Sequence, residues 1–248
     1  MQTGRYGARR IVDMHCHVLP NVDDGAKSVE MSLQMLQIAA EEGITDMIVT
    51  PHYQSSRFFT PADVIEEMIA GLAAKAEQMG IHIRLYPGTE IYYRSGLEEQ
   101  LDEGRLAAMN HTNYVLVEFS PVEDFNYIRN AMEELRGMGY IPILAHVERF
   151  QCMLEDVERV RTLKRVGCKI SSNAGSIAGD YGFRIKRYTH KLLGEELIDF
   201  VGTDAHSAER RSPRMKKCVE VLYKKFEPGY VDAILYGNAE RSLLEEDE

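Results

Sequence analysis

Ile11-Val12-Asp13-Met14-His15-Cys16-His17 begins apolar and β-branched and ends in residues that bind metals and protons. The apolar start reads as a strand. On a strand alternate side chains share a face, so His15 and His17 point the same way. The pattern returns along the chain: candidate strands cover Ile11 to Met14, Asp46 to Thr50, His82 to Tyr86, Tyr114 to Phe119, Ile141 to Ala145, Lys169 to Ser172 and Asp199 to Gly202. Helical stretches fall between them. Ser28 caps one running to Gly43, and Thr60-Pro61-Ala62-Asp63 supplies a cap, a first-turn proline and a first-turn acid for another running to Gly80. Further helices are predicted near Tyr127 to Arg136, Val157 to Val166, Arg184 to Leu193 and Met215 to Phe226. Strand followed by helix, repeated, predicts an α/β fold with a parallel sheet. The rhythm alone fits an open doubly wound sheet and a closed, irregular TIM-like barrel equally.

At 248 residues with 44% hydrophobic content, the chain is sized for one domain. No apolar run reaches bilayer length, which argues against membrane insertion, and Met1 to Arg10 lacks a signal-type apolar stretch, so a cytoplasmic protein is expected. The four cysteines, Cys16, Cys152, Cys168 and Cys218, form no CxxC pair and read as reduced thiols. A formal charge of −10 without a basic run argues against nucleic acid and anionic membrane as partners. A homo-oligomer is left open. A phosphate-bearing substrate would be repelled at long range, so any anion site has to be made locally positive by metals or converging arginines.

Ligand-type residues recur at strand ends: His52 after the second strand, Glu90 after the third, Glu118 in the fourth, His146 after the fifth, and Asp204 with His206 after the seventh. Only the sixth, ending Ser172-Asn173, offers no strong ligand. Each residue alone has an ordinary reading, because single acids and histidines are more often solvated or salt-bridged. Together they mean more, since loops after the carboxyl ends of parallel strands meet on one side of the sheet. Five of the eight histidines occupy such ends, whereas His82, His111 and His190 fall outside the pattern and read as surface or packing residues. Asp23-Asp24-Gly25 is either a tight turn or a source of one more carboxylate. A catalytic zinc usually takes three protein ligands, so this set is too large for one ion and points to two or three.

Arg149 and Arg211 follow His146 and His206 and are candidate phosphate clamps, because a planar guanidinium binds two phosphate oxygens at once. Neighbouring Arg210 reads as solvated. Cysteine phosphatase chemistry is excluded: six positions after the four cysteines stand Val22, Glu158, Ala174 and Lys224, never the arginine a phosphate loop needs. Neither a P-loop nor a Gly-x-Ser-x-Gly elbow is present, leaving attack by a metal-activated water.

At these residues the sequence resembles the polymerase and histidinol phosphatase (PHP) superfamily, and more closely its metal-dependent bacterial protein-tyrosine phosphatases of capsule and exopolysaccharide loci. The resemblance covers nearly the whole chain from Ile11. It is carried by Asp13-Met14-His15-Cys16-His17 with Asp23-Asp24-Gly25, Gly88-Thr89-Glu90-Ile91-Tyr92-Tyr93, Val117-Glu118-Phe119-Ser120, Ala145-His146-Val147-Glu148-Arg149 and Asp204-Ala205-His206. It implies a distorted TIM-like (β/α)7 barrel over residues 11–248 holding three divalent ions, manganese first with iron or zinc as alternatives. The implied ligands are His15, His17, Asp24, His52, Glu90, Glu118, His146, Asp204 and His206, with Glu90 bridging two ions and Arg149 and Arg211 on the phosphate. Three divalent ions against four carboxylates leave a net charge of about +2, which matches a phosphate dianion. The implied substrate is phosphotyrosine on a bacterial tyrosine autokinase that controls polysaccharide export. Two departures stand out: Tyr53-Gln54-Ser55-Ser56 intervenes between His52 and the next basic residue, Arg57, and the leader Met1 to Arg10 has no counterpart and is expected to be mobile. Rival readings are a small-molecule phosphatase of the histidinol phosphate type, a deaminase-like amidohydrolase, and a non-catalytic metal-binding interaction module.

Overall fold

A computed structural model describes residues 10–54, 57–97, 100–101, 103–154 and 156–244. Apart from Arg10, the expected mobile leader lies outside them. The strands are β1 (Val12–Cys16), β2 (Asp46–Val49), β3 (His52–Tyr53), β4 (Arg84–Pro87), β5 (Glu90–Tyr92), β6 (Tyr114–Glu118), β7 (Ile141–Leu144), β8 (Lys169–Asn173) and β9 (Phe200–Gly202). All pairings among them are parallel, in the orders β1-β2-β4 and β3-β5-β6-β7-β8-β9.

Two of the seven predicted strands are each followed by a second short strand that the sequence did not mark. The stretch from Asp46 stops at Val49 because Pro51 has no N–H to continue the ladder, and pairing resumes at His52. The stretch expected at His82 to Tyr86 shifts to Arg84–Pro87 and resumes at Glu90 after Gly88. Each break re-aims the chain just before a ligand-type residue and places the Cα atoms of His52 and Glu90 opposite one another. At the far edge the chain leaving β9 comes back to β1, where His17 N donates to Ala205 O at 2.9 Å and Asp204 N to His15 O at 2.7 Å. The parallel sheet is thus curled, as the strand–helix rhythm requires of a TIM-like α/β fold.

Helices cover the outside. They are α1 (Val29–Glu41), α2 (Ala62–Gln78), α3 (Phe125–Gly137), α4 (Val157–Arg165), α5 (Ala174–Ala178), α6 (Phe183–Gly194), α7 (Lys216–Lys225) and α8 (Pro228–Asp232). Ser28 Oγ accepts from Met31 N at 3.2 Å, the expected cap of α1. The cap expected of Thr60 is not made, and α2 starts behind Pro61 without a side-chain cap. Asp124 and Asp156 accept from Asn126 N and Glu158 N to cap α3 and α4.

The large core lies between sheet and helices. A second cluster fills the inside of the curl, where Val12, Met14, Ile48, Leu116, Ile143 and Phe200 meet Ala239 and Leu243 from the C-terminal helical segments. By sequence, Leu243 to Glu248 reads as a stretch ending in a solvated acidic tail, but Leu243 is 1% exposed, so the tail does not begin there. Burying such a leucine contributes about 1.5–3 kcal/mol. The rest of that tail, residues 245–248, lies outside the described residues. The strand starts are tied by buried Asp46, which takes Arg10 at 3.1 Å and Arg84 at 2.8 Å. Ligand-type residues gather at the opposite, carboxyl ends. Among the described residues no helix is long and apolar enough to cross a membrane.

Candidate metal centre

The site is assembled where β1 and β9 nearly touch. A Cβ on Gly202 would stand 2.6 Å from His15 Cβ, so only glycine lets the strands approach this closely. Buried Asp13 stitches the same junction, accepting from His15 N at 3.2 Å and from Thr203 N and Oγ1 at 2.8 and 2.5 Å. Burial raises its carboxyl to about 6, even against these hydrogen bonds.

His15 and His17 do share a face: their Nε2 atoms stand 3.1 Å apart. Glu90, fully buried, reaches between them. Its Oε2 lies 3.0 Å from His15 Nε2, 3.2 Å from His17 Nε2 and 3.0 Å from His52 Nδ1, while Oε1 lies 2.9 Å from His146 Nε2. Burial opposes ionisation of Glu90, yet the surrounding imidazoles hold it well below the usual carboxylate range. Glu118 adds Oε1 at 3.1 Å from His52 Nδ1 and Oε2 at 3.7 Å from His146 Nε2.

Asp204 stands on the other side, with Oδ1 3.8 Å from His15 Nε2, 3.6 Å from His17 Nε2 and 3.5 Å from His206 Nδ1. Half-exposed Asp24 closes the rim, its Oδ1 3.5 Å from both His52 Nε2 and His206 Nε2. Burial and the neighbouring His17 push His206 down to about 4, leaving it a neutral donor. His146 and Asp204 have φ of 31° and 54°. Left-handed backbone costs a non-glycine residue roughly 1–2 kcal/mol, and such strain concentrates at functional sites.

All nine sequence-selected ligand candidates, from all the ends the sequence pointed to, lie in this one volume. Both arginines join them: Arg149 Nη2 is 2.6 Å from Asp204 Oδ2, and Arg211 Nη2 is 2.7 Å from Oδ1. A tight loop returns Arg211, whose carbonyl accepts from His206 N at 2.8 Å. Arg210, by contrast, is exposed. His82 is exposed, His111 is mostly so, and His190 spends its Nε2 on the Ile177 carbonyl at 3.0 Å. Cys16 is buried beside the site, and burial with nearby Asp13 raises its thiol well above the ordinary value, so it offers no thiolate.

Three residues escaped the sequence reading. Asp23 takes His17 Nδ1 at 2.8 Å, His52 N at 2.9 Å and Gly25 N at 2.8 Å, making it a positioning carboxylate. Asn173 donates to Asp204 Oδ2 at 2.9 Å, so the sixth strand end contributes an amide where no ligand was expected. Asp13 is the third. Their signal was position alone, at strand ends and in an Asp-Asp-Gly turn.

The donor set fits divalent metal ions. Glu90 Oε2 is faced by three imidazole nitrogens, and among the described residues the Nδ1 atoms of His15 and His146 are buried without a hydrogen-bond partner, which buried polar groups seldom tolerate. In each of three groups the donor atoms lie within 4.8 Å of one another: His17, His52 and His206; His15, His17 and Asp204; and His52, Glu90 and Glu118. Mixed imidazole and carboxylate donors suit manganese, iron or zinc.

Known proteins share this frame. Residues 11–244 match the model of the capsular polysaccharide synthesis family CpsB/CapC. The chain is 28% identical over 238 residues to the tyrosine-protein phosphatase CpsB of Streptococcus agalactiae, covering 94% of this chain and 98% of that one. It is 31% identical over 216 residues to the tyrosine-protein phosphatase YwqE of Bacillus subtilis, covering 87% and 85%. A crystal structure from work on YwqE of Bacillus subtilis and CpsB of Streptococcus pneumoniae, described as unique metal-dependent tyrosine phosphatases, superposes with a TM-score of 0.88 at 30% identity and 96% coverage of both chains. An organophosphorus hydrolase from Deinococcus radiodurans, with a TM-score of 0.60 at 12% identity, shares the fold alone. This chain belongs to the CpsB/CapC family of capsular polysaccharide synthesis proteins.

Proposed function

We propose that this protein is a metal-dependent protein-tyrosine phosphatase. In this reading its sheet and helices form a distorted (β/α)7 barrel spanning residues 11–248, and it acts in the cytoplasm on a bacterial tyrosine autokinase that regulates capsule or exopolysaccharide synthesis. His15, His17, Asp24, His52, Glu90, Glu118, His146, Asp204 and His206 hold three divalent ions, manganese first with iron or zinc as alternatives. The observation that carries the reading is the meeting of nine such donors with two arginines in one volume at the carboxyl ends of the strands. The three overlapping donor groups support three ions, and the names of the relatives support the substrate.

When bound, divalent ions supply Lewis acidity and a nucleophilic water at neutral pH. The chain's own residues do the rest. Glu90, the buried acid flanked by four imidazoles, holds the centre together, and Asp23 keeps the proton of His17 on Nδ1 so that Nε2 presents a lone pair. Arg149 and Arg211 present two guanidiniums beside Asp204, where they grip phosphoryl oxygens and stabilise the charge that grows on them. The tyrosyl oxygen departs as a phenolate of pKa about 10, in little need of an acid. Turnover of a phosphotyrosine peptide by the metal-loaded protein, set beside histidinol phosphate, tests the reading. Exclusive turnover of the small molecule, or none of either, overturns it.

A further inference from the structure

Charge is unevenly distributed over this acidic protein. Between Val157 and Lys225 the sequence holds 16 lysines and arginines against 8 aspartates and glutamates, whereas the whole chain holds 29 against 39. That segment is +8 in a protein of −10. Helix α6 is its most one-sided part, with Arg184, Lys186, Arg187 and Lys191 and no acid. It packs against the helical turn that carries Arg149, one of the two candidate phosphate clamps.

A groove of about 540 Å³ runs along α6. Arg184, Arg187 and Lys191 supply its charge, Leu154, Val157 and Tyr188 its apolar floor, and among the described residues no carboxylate lines it. Arg187 and Lys191 are exposed and make no ion pair with a described residue. Tyr188 is 7% exposed, and its hydroxyl is buried with no hydrogen-bond partner among the described residues. That hydroxyl faces the interior, so the ring and not the oxygen meets the groove.

We infer that the groove binds an acidic segment of the protein substrate adjoining the phosphorylated tyrosine, with carboxylates meeting Arg187 and Lys191 over the apolar floor. A free phosphate has no use for that floor. A peptide carrying both carboxylates and apolar side chains uses every part of the groove. The basic face also answers a difficulty set by the net charge: an anionic substrate repelled by the molecule as a whole is drawn in where the metal centre opens. This inference rests on the phosphotyrosine reading above.

The test compares native protein, the Arg187→Glu/Lys191→Glu double variant and Tyr188→Phe. Their substrates are phosphotyrosine itself and phosphotyrosine peptides with acidic or neutral flanks. Native protein should prefer the acidic flank in kcat/KM by about tenfold at low salt, with the preference shrinking as salt is added. The double variant should lose that preference, Tyr188→Phe should keep it because its hydroxyl lies out of reach of the groove, and all three should turn over phosphotyrosine itself alike. Fluorescence anisotropy of an unphosphorylated acidic peptide reads the groove without turnover. If no form hydrolyses phosphotyrosine with metals loaded, the phosphatase reading fails and peptide binding alone decides: weaker binding by the double variant upholds the groove, equal binding overturns it. The inference is also overturned if native protein shows no flank preference, if the double variant keeps it, or if a single-stranded oligonucleotide or phosphatidylglycerol vesicles bind the same residues as tightly as the peptide.

Discussion

Asp23→Asn separates a positioning carboxylate from a ligand by a single atom. Asp23 Oδ2 accepts from both His17 Nδ1 at 2.8 Å and His52 N at 2.9 Å, while Oδ1 accepts from Gly25 N at 2.8 Å. Burial works against its ionisation, but the bond to His17 outweighs this and lowers Asp23 to about 2. The amide of asparagine has one oxygen to serve both positions. If the oxygen faces His17, the amide nitrogen confronts the N–H of Gly25. If it faces Gly25, the nitrogen donates to His17 Nδ1, moves the imidazole proton to Nε2 and removes the lone pair aimed at Glu90 and Asp204. Loss of such an outer hydrogen bond typically weakens metal binding about 10- to 100-fold, or about 1.4–2.7 kcal/mol. Competition titration against a fluorescent chelator measures it. Asp23→Asn should bind metal more weakly by that factor while remaining folded, and Asp24→Ala should lose an ion outright. Native-like affinity in Asp23→Asn would refute the positioning role and the tautomer assigned to His17.

Other consequences follow from the same geometry. In metal-free protein burial opposes protonation of His17 and His146, yet Asp23, Glu90 and Glu118 raise them to about 10 and about 9. Folded values above the unfolded value of about 6.5 contribute stability that is fully present below that pH and lost as pH rises through 9 to 10. Metal loading near pH 7.5 should therefore release protons, seen as a calorimetric heat that depends on buffer ionisation; no release would contradict the protonated cluster. Arg211→Ala should lose roughly 10²- to 10³-fold in rate with metal content unchanged, Arg211→Lys should recover part of the loss, and Arg210→Ala should stay near normal, all read by phosphotyrosine-peptide kinetics. Glu118→Ala and His146→Ala should each lose bound metal and activity, whereas His82→Ala and His190→Ala should keep both by elemental analysis and assay.

The parts of the site legible in the sequence were those written locally. His15 and His17 announce a shared face by spacing alone, and His146, Asp204 and His206 stand directly after apolar runs. The breaks at Pro51 and Gly88 were harder, because whether a strand stops or resumes depends on the neighbour it pairs with. The opposition of His52 to Glu90 exists only in the sheet. Asp23 and Asp24 are adjacent and chemically identical, yet one faces inward to His17 and the other outward to His52 and His206. No spacing rule separates them, and the resemblance alone singled out Asp24. Leu243 looked like part of an acidic tail because the cluster that buries it, with Val12 and Leu116 among its members, is drawn from strands remote in sequence. The charge on α6 was hidden by the overall −10, since compensation across a chain leaves no mark on its total.

The most direct test of the account is phosphotyrosine-peptide hydrolysis by protein stripped with a chelator, verified metal-free, then reloaded. The nine-donor centre predicts that activity vanishes on stripping and returns with manganese or a similar divalent ion. Full activity in verified metal-free protein would contradict it.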